Sequence, residues 1–136
     1  MPRLLIAALL AAIVVTIWGA VSWTVIPWDL MVMETIGDPF SPWLLGRGFA
    51  LNLVAAFLAA ALLAAAAPAL PRFGSRVLFV SLLAGFAALQ SRLVDWNWWG
   101  LPLDTSLVAA FDLVIGWTLA GLVLAWRLSP AVPGSR

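Results

Sequence analysis

Four long apolar stretches alternate with short polar segments along this chain. They cover about residues 4–26, 48–70, 77–94 and 106–126. The first two contain no charged residue, whereas the third carries Arg92 near its end and the fourth carries Asp112 in its interior. Because about 20 mostly apolar residues let a helix cross about 30 Å of hydrocarbon, each stretch predicts a transmembrane helix.

Helix-ending and helix-capping residues lie between these stretches. Pro68 and Pro71 end the second helix, and Ser41 with Pro42 has the pattern of an N-cap followed by a first-turn proline. The third and fourth helices have candidate N-caps of the preferred residue types, namely Ser75 for the third and Asp104 or Thr105 for the fourth. The short connections predict one domain, residues 1–136, an all-α integral membrane protein whose four helices form an antiparallel bundle.

The distribution of arginine predicts the orientation. If the chain crosses four times, one end of the bundle collects Arg3, Arg72, Arg76, Arg127 and Arg136. Positive charge is enriched in cytoplasmic loops, so both termini are expected in the cytoplasm. The arginine-only basic set and the many Ala and Leu residues are typical of a GC-rich bacterial genome, and the expected location is a bacterial-type inner membrane. A cleavable signal peptide is the alternative for the N-terminus, but the apolar stretch exceeds the usual core of about 7–15 residues.

The first outer loop, residues 28–46, is the longest connection and mixes acidic with apolar side chains. This mixture predicts a short helix lying on the outer membrane surface or dipping into it, and a docking surface is the alternative. Asp29, Glu34 and Asp38 lack the spacing of a calcium loop. No metal site is predicted.

Composition sharpens the membrane assignment and excludes most catalytic chemistry. The chain is 65% hydrophobic and 10% charged, whereas soluble domains average about 45–50% apolar and about 25% charged residues. It contains no His, Cys, Lys or Tyr, which removes disulfides, thiolate nucleophiles and the commonest general base. The remaining Asp, Glu, Arg, Ser and Thr form no pattern of a nucleophile with its base, so the chain is predicted not to be an enzyme.

Each of the four predicted helices carries a polar residue at a similar depth in the outer half of the bundle. At 1.5 Å per residue, Ser22 and Asn52 lie about 7 Å deep, Arg92 about 6 Å and Asp112 about 12 Å. Side chains lean toward the N-terminus of their helix, so Arg92 and Asp112 lean toward each other. These four residues are a candidate intramembrane polar site for a proton, an ion or a lipid headgroup. The structural alternative is a helix-joining ion pair, or Arg92 extending to the outer headgroups.

Small residues recur at helical spacing on three of the predicted helices. The stripes are Ala8, Ala12, Thr16, Ala20 and Thr24 in the first helix, Ser81, Ala84, Ala88, Ser91 and Asp95 in the third, and Ala109, Asp112, Gly116 and Ala120 in the fourth. Such stripes let helices approach closely in lipid. A stripe left over after internal packing is a candidate contact for another membrane protein.

Tryptophan is unusually frequent, with nine residues. Seven are expected to form interfacial aromatic belts: Trp23, Trp28, Trp43, Trp96, Trp98 and Trp99 at the outer interface and Trp126 at the inner one. Trp18 and Trp117 fall inside the hydrocarbon, where an indole N–H needs a partner. They either bond within the bundle or line a hydrophobic pocket for a quinone, a carotenoid or a lipid tail.

Three functional hypotheses follow from these features. The leading one is a non-enzymatic accessory or assembly subunit that packs against a larger membrane complex or against itself. The alternatives are a small oligomeric transporter or channel that uses Asp112 and Arg92, and a binder of a lipid or hydrophobic cofactor that uses Trp18 and Trp117. Membrane lipids are expected partners, no cofactor is predicted, and the few Arg residues form no stripe for nucleic acid.

Overall fold

The computed structural model describes residues 1–26 and 41–129, and within them it is helical with no strand. The helices are α1 (Pro2–Val25), α2 (Pro42–Ala66), α3 (Phe73–Ala88), α4 (Val94–Trp99) and α5 (Leu103–Arg127). A 3₁₀ turn, Ala67–Ala69, extends α2, and a π-helical turn, Leu89–Leu93, joins α3 to α4. Residues 28–40 of the expected surface helix, with Trp28 and the three loop acids, and Arg136 lie outside the described residues.

Four continuous helical segments are long and apolar enough to cross a membrane: Pro2–Val25, Pro42–Ala69, Phe73–Trp99 and Leu103–Arg127. The prediction of an all-α, multi-pass membrane protein is therefore confirmed at this level. Each segment begins before the apolar stretch that predicted it, and the last two also end after theirs, whereas the first two end one residue short.

One of the three predicted N-caps is confirmed. Ser41 Oγ accepts a hydrogen bond from the Leu44 amide at 3.3 Å, and Pro42 occupies the first turn of α2. The prediction of Ser75 is wrong, because α3 begins at Phe73 and Ser75 Oγ instead donates to the Arg72 carbonyl at 2.7 Å.

The predicted cap of the fourth helix is also wrong. Pro102 is the N-cap residue of α5, so Asp104 and Thr105 fall inside its first turn. Asp104 Oδ1 accepts from the amide of Thr105, its immediate neighbour, at 2.7 Å. Both cap predictions fail for the same reason, since each helix begins directly after a proline-containing connection rather than at the nearest polar side chain.

Helix α5 is the centre of the packing. It contacts α1 on one side and α3 on the other, and α1 also contacts α2, whereas α2 touches α3 and α5 much less. Small side chains permit these approaches: the most deeply buried residues include Ala7, Ala8, Ala11, Ala12, Ala56, Ala60 and Ala120. At Gly121, a Cβ would lie 3.1 Å from the Cβ of Val80, so glycine lets α5 approach α3 closely.

The predicted small-residue stripes form packing surfaces over only part of their length. Ala8, Ala12, Ala84 and Ala88 are buried, as are Gly116 and Ala120 of α5. Ala20, Thr24 and Ser91, by contrast, are exposed. Ser91 leaves the stripe of α3 because it lies in the π-helical turn, where the wider turn changes the rotation of successive side chains.

Most of the tryptophans assigned to the aromatic belts lie exposed near helix ends. Trp43 begins α2, Trp98 and Trp99 end α4, and each is more than 70% exposed. Trp126 at the end of α5 is exposed as well. This exposure agrees with interfacial anchoring, in which the indole ring meets the lipid headgroups.

Candidate functional site

Asp112 of α5 faces α1 and accepts hydrogen bonds from three of its side chains. Its Oδ1 accepts from Trp18 Nε1 at 2.8 Å and from Ser22 Oγ, and its Oδ2 accepts from Trp23 Nε1 at 3.2 Å. Trp18 Nε1 also lies 3.2 Å from the backbone carbonyl of Asp112. A carboxylate is costly in the apolar part of a membrane unless it is paired, and here neutral N–H and O–H groups supply the partners.

The sequence of α1 explains why these donors converge. Trp18 and Ser22 are four residues apart and therefore share one helix face. Gly116 lies one turn beyond Asp112 in α5, and a Cβ at this position would be 2.7 Å from Trp18 Cδ1. The missing side chain lets the indole lie against the backbone of α5 with its N–H at the carboxylate.

The structure brings two of the four predicted polar-site residues into direct contact, Ser22 and Asp112. Asn52 instead binds α1 at another position, where its Nδ2 donates to Thr16 Oγ1 at 3.0 Å. Within residues 1–26 and 41–129, Arg92 forms no ion pair with Asp112, and its buried Nε has no hydrogen-bond partner. The hypothesis of a helix-joining ion pair is therefore corrected, because α1 already supplies the partners of both carboxylate oxygens.

Arg92, Asn52 and Asp112 nevertheless line one cavity of about 230 Å³, which we call the polar cavity. Its remaining wall is largely aromatic and small, and it includes Trp18, Trp23, Trp117, Gly19 and Gly116. For Trp18 and Trp117 the sequence left open a hydrogen bond within the bundle or a place in the wall of a pocket; Trp18 makes such a bond to Asp112, and both residues line this cavity. Ser22 is joined to this site by its bond to Asp112.

A second cavity of about 260 Å³ lies between α2, α3 and α5, and we call it the apolar cleft. Its wall is hydrophobic throughout, with Leu58 and Leu62 from α2 and Leu83 and Ala87 from α3. Leu113 and Trp117 of α5 belong to the walls of both cavities. The cleft exists because α2 packs mainly on α1 and α3 mainly on α5, while α2 and α3 contact each other little.

Two features of this site were not predicted from the sequence. Trp23 was assigned to the aromatic belt, yet its N–H binds Asp112; its position one residue after Ser22 was the available signal. The stripe of small residues on the third helix was interpreted as a packing surface, and one of its members, Ala84, also lines the apolar cleft.

The arrangement offers polar groups that can bind a ligand. The polar cavity holds one cation, one anion already covered by donors, and an amide. In the described ranges, no three acidic side chains come together as a metal site requires. The polar cavity and the apolar cleft together offer hydrogen bonding at one end and a hydrophobic surface at the other.

Comparison with known proteins adds no relative to this geometry. No protein-family model, no curated protein and no solved structure matches the chain. Function is therefore inferred from the two adjoining cavities.

Proposed function

We propose that this protein is a non-enzymatic, multi-pass membrane protein that binds an amphipathic molecule of the lipid class. The observation that carries the proposal is the adjacency of the polar cavity and the apolar cleft through Leu113 and Trp117. A ligand with a polar head at Arg92 and Asn52 would place its hydrocarbon chain between α2 and α3.

The physical chemistry of the bilayer supports an amphiphile rather than a purely apolar ligand. In water, burying hydrocarbon contributes about 0.8 kcal/mol for each CH₂ group. In a membrane this gain vanishes, because lipid tails are as apolar as the leucines that line the apolar cleft. Retention of a ligand therefore depends on the polar cavity, because its polar side chains are partly shielded from both water and lipid.

We also infer that the spanning segments are antiparallel and that both termini face the cytoplasm of a bacterial-type inner membrane. Contacts support opposed directions: Arg76 at the start of α3 donates to the Ala125 carbonyl near the end of α5 at 3.4 Å. The arginine distribution supports the orientation, which puts the polar cavity in the outer half. Reporter domains that are active on one side only, fused to each terminus, are expected to report the cytoplasmic side twice; an outside signal would contradict the orientation.

Filling the apolar cleft is expected to reduce ligand retention by steric exclusion, because the added ring would occupy the space that the hydrocarbon chain needs while the head lies in the polar cavity. Ala87 lines the cleft with an exposed side chain, so Ala87→Phe should occupy the space without disturbing the buried core. We expect native mass spectra of the mildly extracted wild-type protein to show a stoichiometric lipid-class adduct. In Ala87→Phe its occupancy should fall at least about tenfold, which from near-full occupancy requires a loss of more than about 1.4 kcal/mol of binding free energy.

Ala65→Phe is the matched control, because Ala65 is exposed on α2 and does not line the cleft. Its adduct should equal that of the wild type. A wild-type protein that carries no adduct would overturn the proposal. Stoichiometric larger subunits in those same spectra would then favour the accessory-subunit hypothesis, and a bare homo-oligomer would favour the transporter or channel.

A further inference from the structure

The polar end of the proposed ligand can be assigned from the groups that the polar cavity leaves unpaired. We infer that this cavity recognises an anionic head, a phosphate or carboxylate group, through the guanidinium of Arg92. The inference rests on the proposed function and specifies the chemical class of its ligand.

Arg92 is the group in the polar cavity whose hydrogen-bonding capacity is least used. Its Nε is buried and has no partner among the residues that the structure describes. A guanidinium carries five N–H donors and no acceptor, and it forms its strongest, two-pronged hydrogen bonds with carboxylate and phosphate. An anion in the cavity would supply acceptors that the described helices do not.

The other polar groups of the cavity also favour a ligand with a negatively charged head. The Asp112 carboxylate already accepts three hydrogen bonds from side chains of α1, which leaves about one of its four acceptor sites for a cationic head. Asn52 uses Nδ2 to bind Thr16, and because an amide nitrogen carries two hydrogens, a second N–H remains for a ligand. The available groups are therefore mainly donors, which match an anion.

The backbone that carries Arg92 is itself unusual. Arg92 lies in the π-helical turn Leu89–Leu93, between two α-helical segments. Single π-helical turns are rare and occur frequently at functional sites. Ser91 of this turn is exposed while Arg92 lines the polar cavity, so the turn directs the charged side chain inward and its small polar neighbour outward.

The test compares two probes that share their acyl chains and differ in the head: dioleoyl phosphatidate, which is anionic, and dioleoylglycerol, which is neutral. The full-length protein is stripped of lipid in detergent, titrated with each probe, and analysed by native mass spectrometry. We expect the wild type to bind phosphatidate at least about tenfold more tightly than dioleoylglycerol. In Arg92→Gln this preference should fall to within about twofold.

Arg47→Gln is the matched control. Arg47 is exposed near the start of α2, where its guanidinium lies 5.8 Å from the Trp43 ring centre, and it does not line the polar cavity. Its loss removes the same charge, so an unchanged preference for phosphatidate in this variant supports a local role of Arg92. An equal fall in both variants would overturn that role in favour of general electrostatic attraction.

The remaining outcomes separate the inference from the proposed function. Equal binding of the two probes by the wild type would overturn the anionic head and leave the amphiphile-binding proposal standing. Absence of binding to either probe would overturn both. A third probe, dioleoyl phosphatidylcholine, is titrated in the same way to test the aromatic wall of the cavity. Tighter binding of this probe than of phosphatidate would also overturn the inference, because the tryptophans would then be recognising its quaternary ammonium group.

Discussion

Replacing Gly116 with leucine is expected to lower the free energy of unfolding by about 2–4 kcal/mol. Even a single Cβ at this position would lie 2.7 Å from Trp18 Cδ1, and leucine adds three further carbons. The indole would have to leave the backbone of α5 and with it the Asp112 carboxylate. The expected loss combines overpacking with a broken interhelical hydrogen bond, and it is measured as the midpoint of SDS-induced unfolding in mixed micelles.

Two further variants identify the clash as the cause. Gly85→Leu is the control, because a Cβ at Gly85 in α3 meets no atom within 4 Å, and its effect should stay within about 0.5 kcal/mol. Adding Trp18→Ala to Gly116→Leu should make the two changes non-additive, since the alanine removes the group that leucine displaces. Strict additivity of the two changes would show that Gly116 acts through some contact other than Trp18.

The spans of this fold are predictable because the bilayer imposes their length. A stretch of about 20 apolar residues has few alternatives to a helix in hydrocarbon, where every backbone polar group needs a partner. The start of α2 was predictable as well, since Ser41 and Pro42 combine two independent helix-start signals. At α3 and α5 the predictions relied on polar side chains, Ser75 for α3 and Asp104 or Thr105 for α5, and these misplaced the cap.

The candidate site was only partly predictable. The depth of a side chain in the membrane follows from its residue number, but the neighbouring helix that the side chain faces does not. Ser22 and Asp112 were assigned similar depths and do meet. Arg92 was placed at a comparable depth, but α5 has one neighbour on each side, and Asp112 faces α1 rather than the segment that carries Arg92. The π-helical turn has no signature in the apolar pattern, and the apolar cleft arises from weak contact between helices whose sequences are suited to close packing.

At the opposite end of the helices, Arg76→Ala is expected to lower the free energy of unfolding by about 2–4 kcal/mol. Arg76 is only 3% exposed although it was assigned from the sequence to a cytoplasmic connection. Its Nε donates to the Leu70 carbonyl and its Nη2 to the Pro71 carbonyl, both at 2.9 Å. The remaining nitrogen, Nη1, donates to Ser129 Oγ at 3.0 Å and reaches the Ala125 carbonyl at 3.4 Å.

The Arg76 guanidinium therefore links the connection before α3 to the last turn of α5 by hydrogen bonds. The carbonyls of a last helical turn lack donors within their own helix. Arg72→Ala is the matched control, since Arg72 is an exposed arginine of the same connection, and its unfolding midpoint in mixed micelles should equal that of the wild type. Arg76→Lys keeps the charge but not the planar fork, so an intermediate midpoint is expected. Two outcomes would contradict a role of the four hydrogen bonds: wild-type stability of Arg76→Lys, or a loss in Arg72→Ala as large as that in Arg76→Ala. Either would show that positive charge at this end of the helices stabilises the fold, rather than the geometry of the hydrogen bonds.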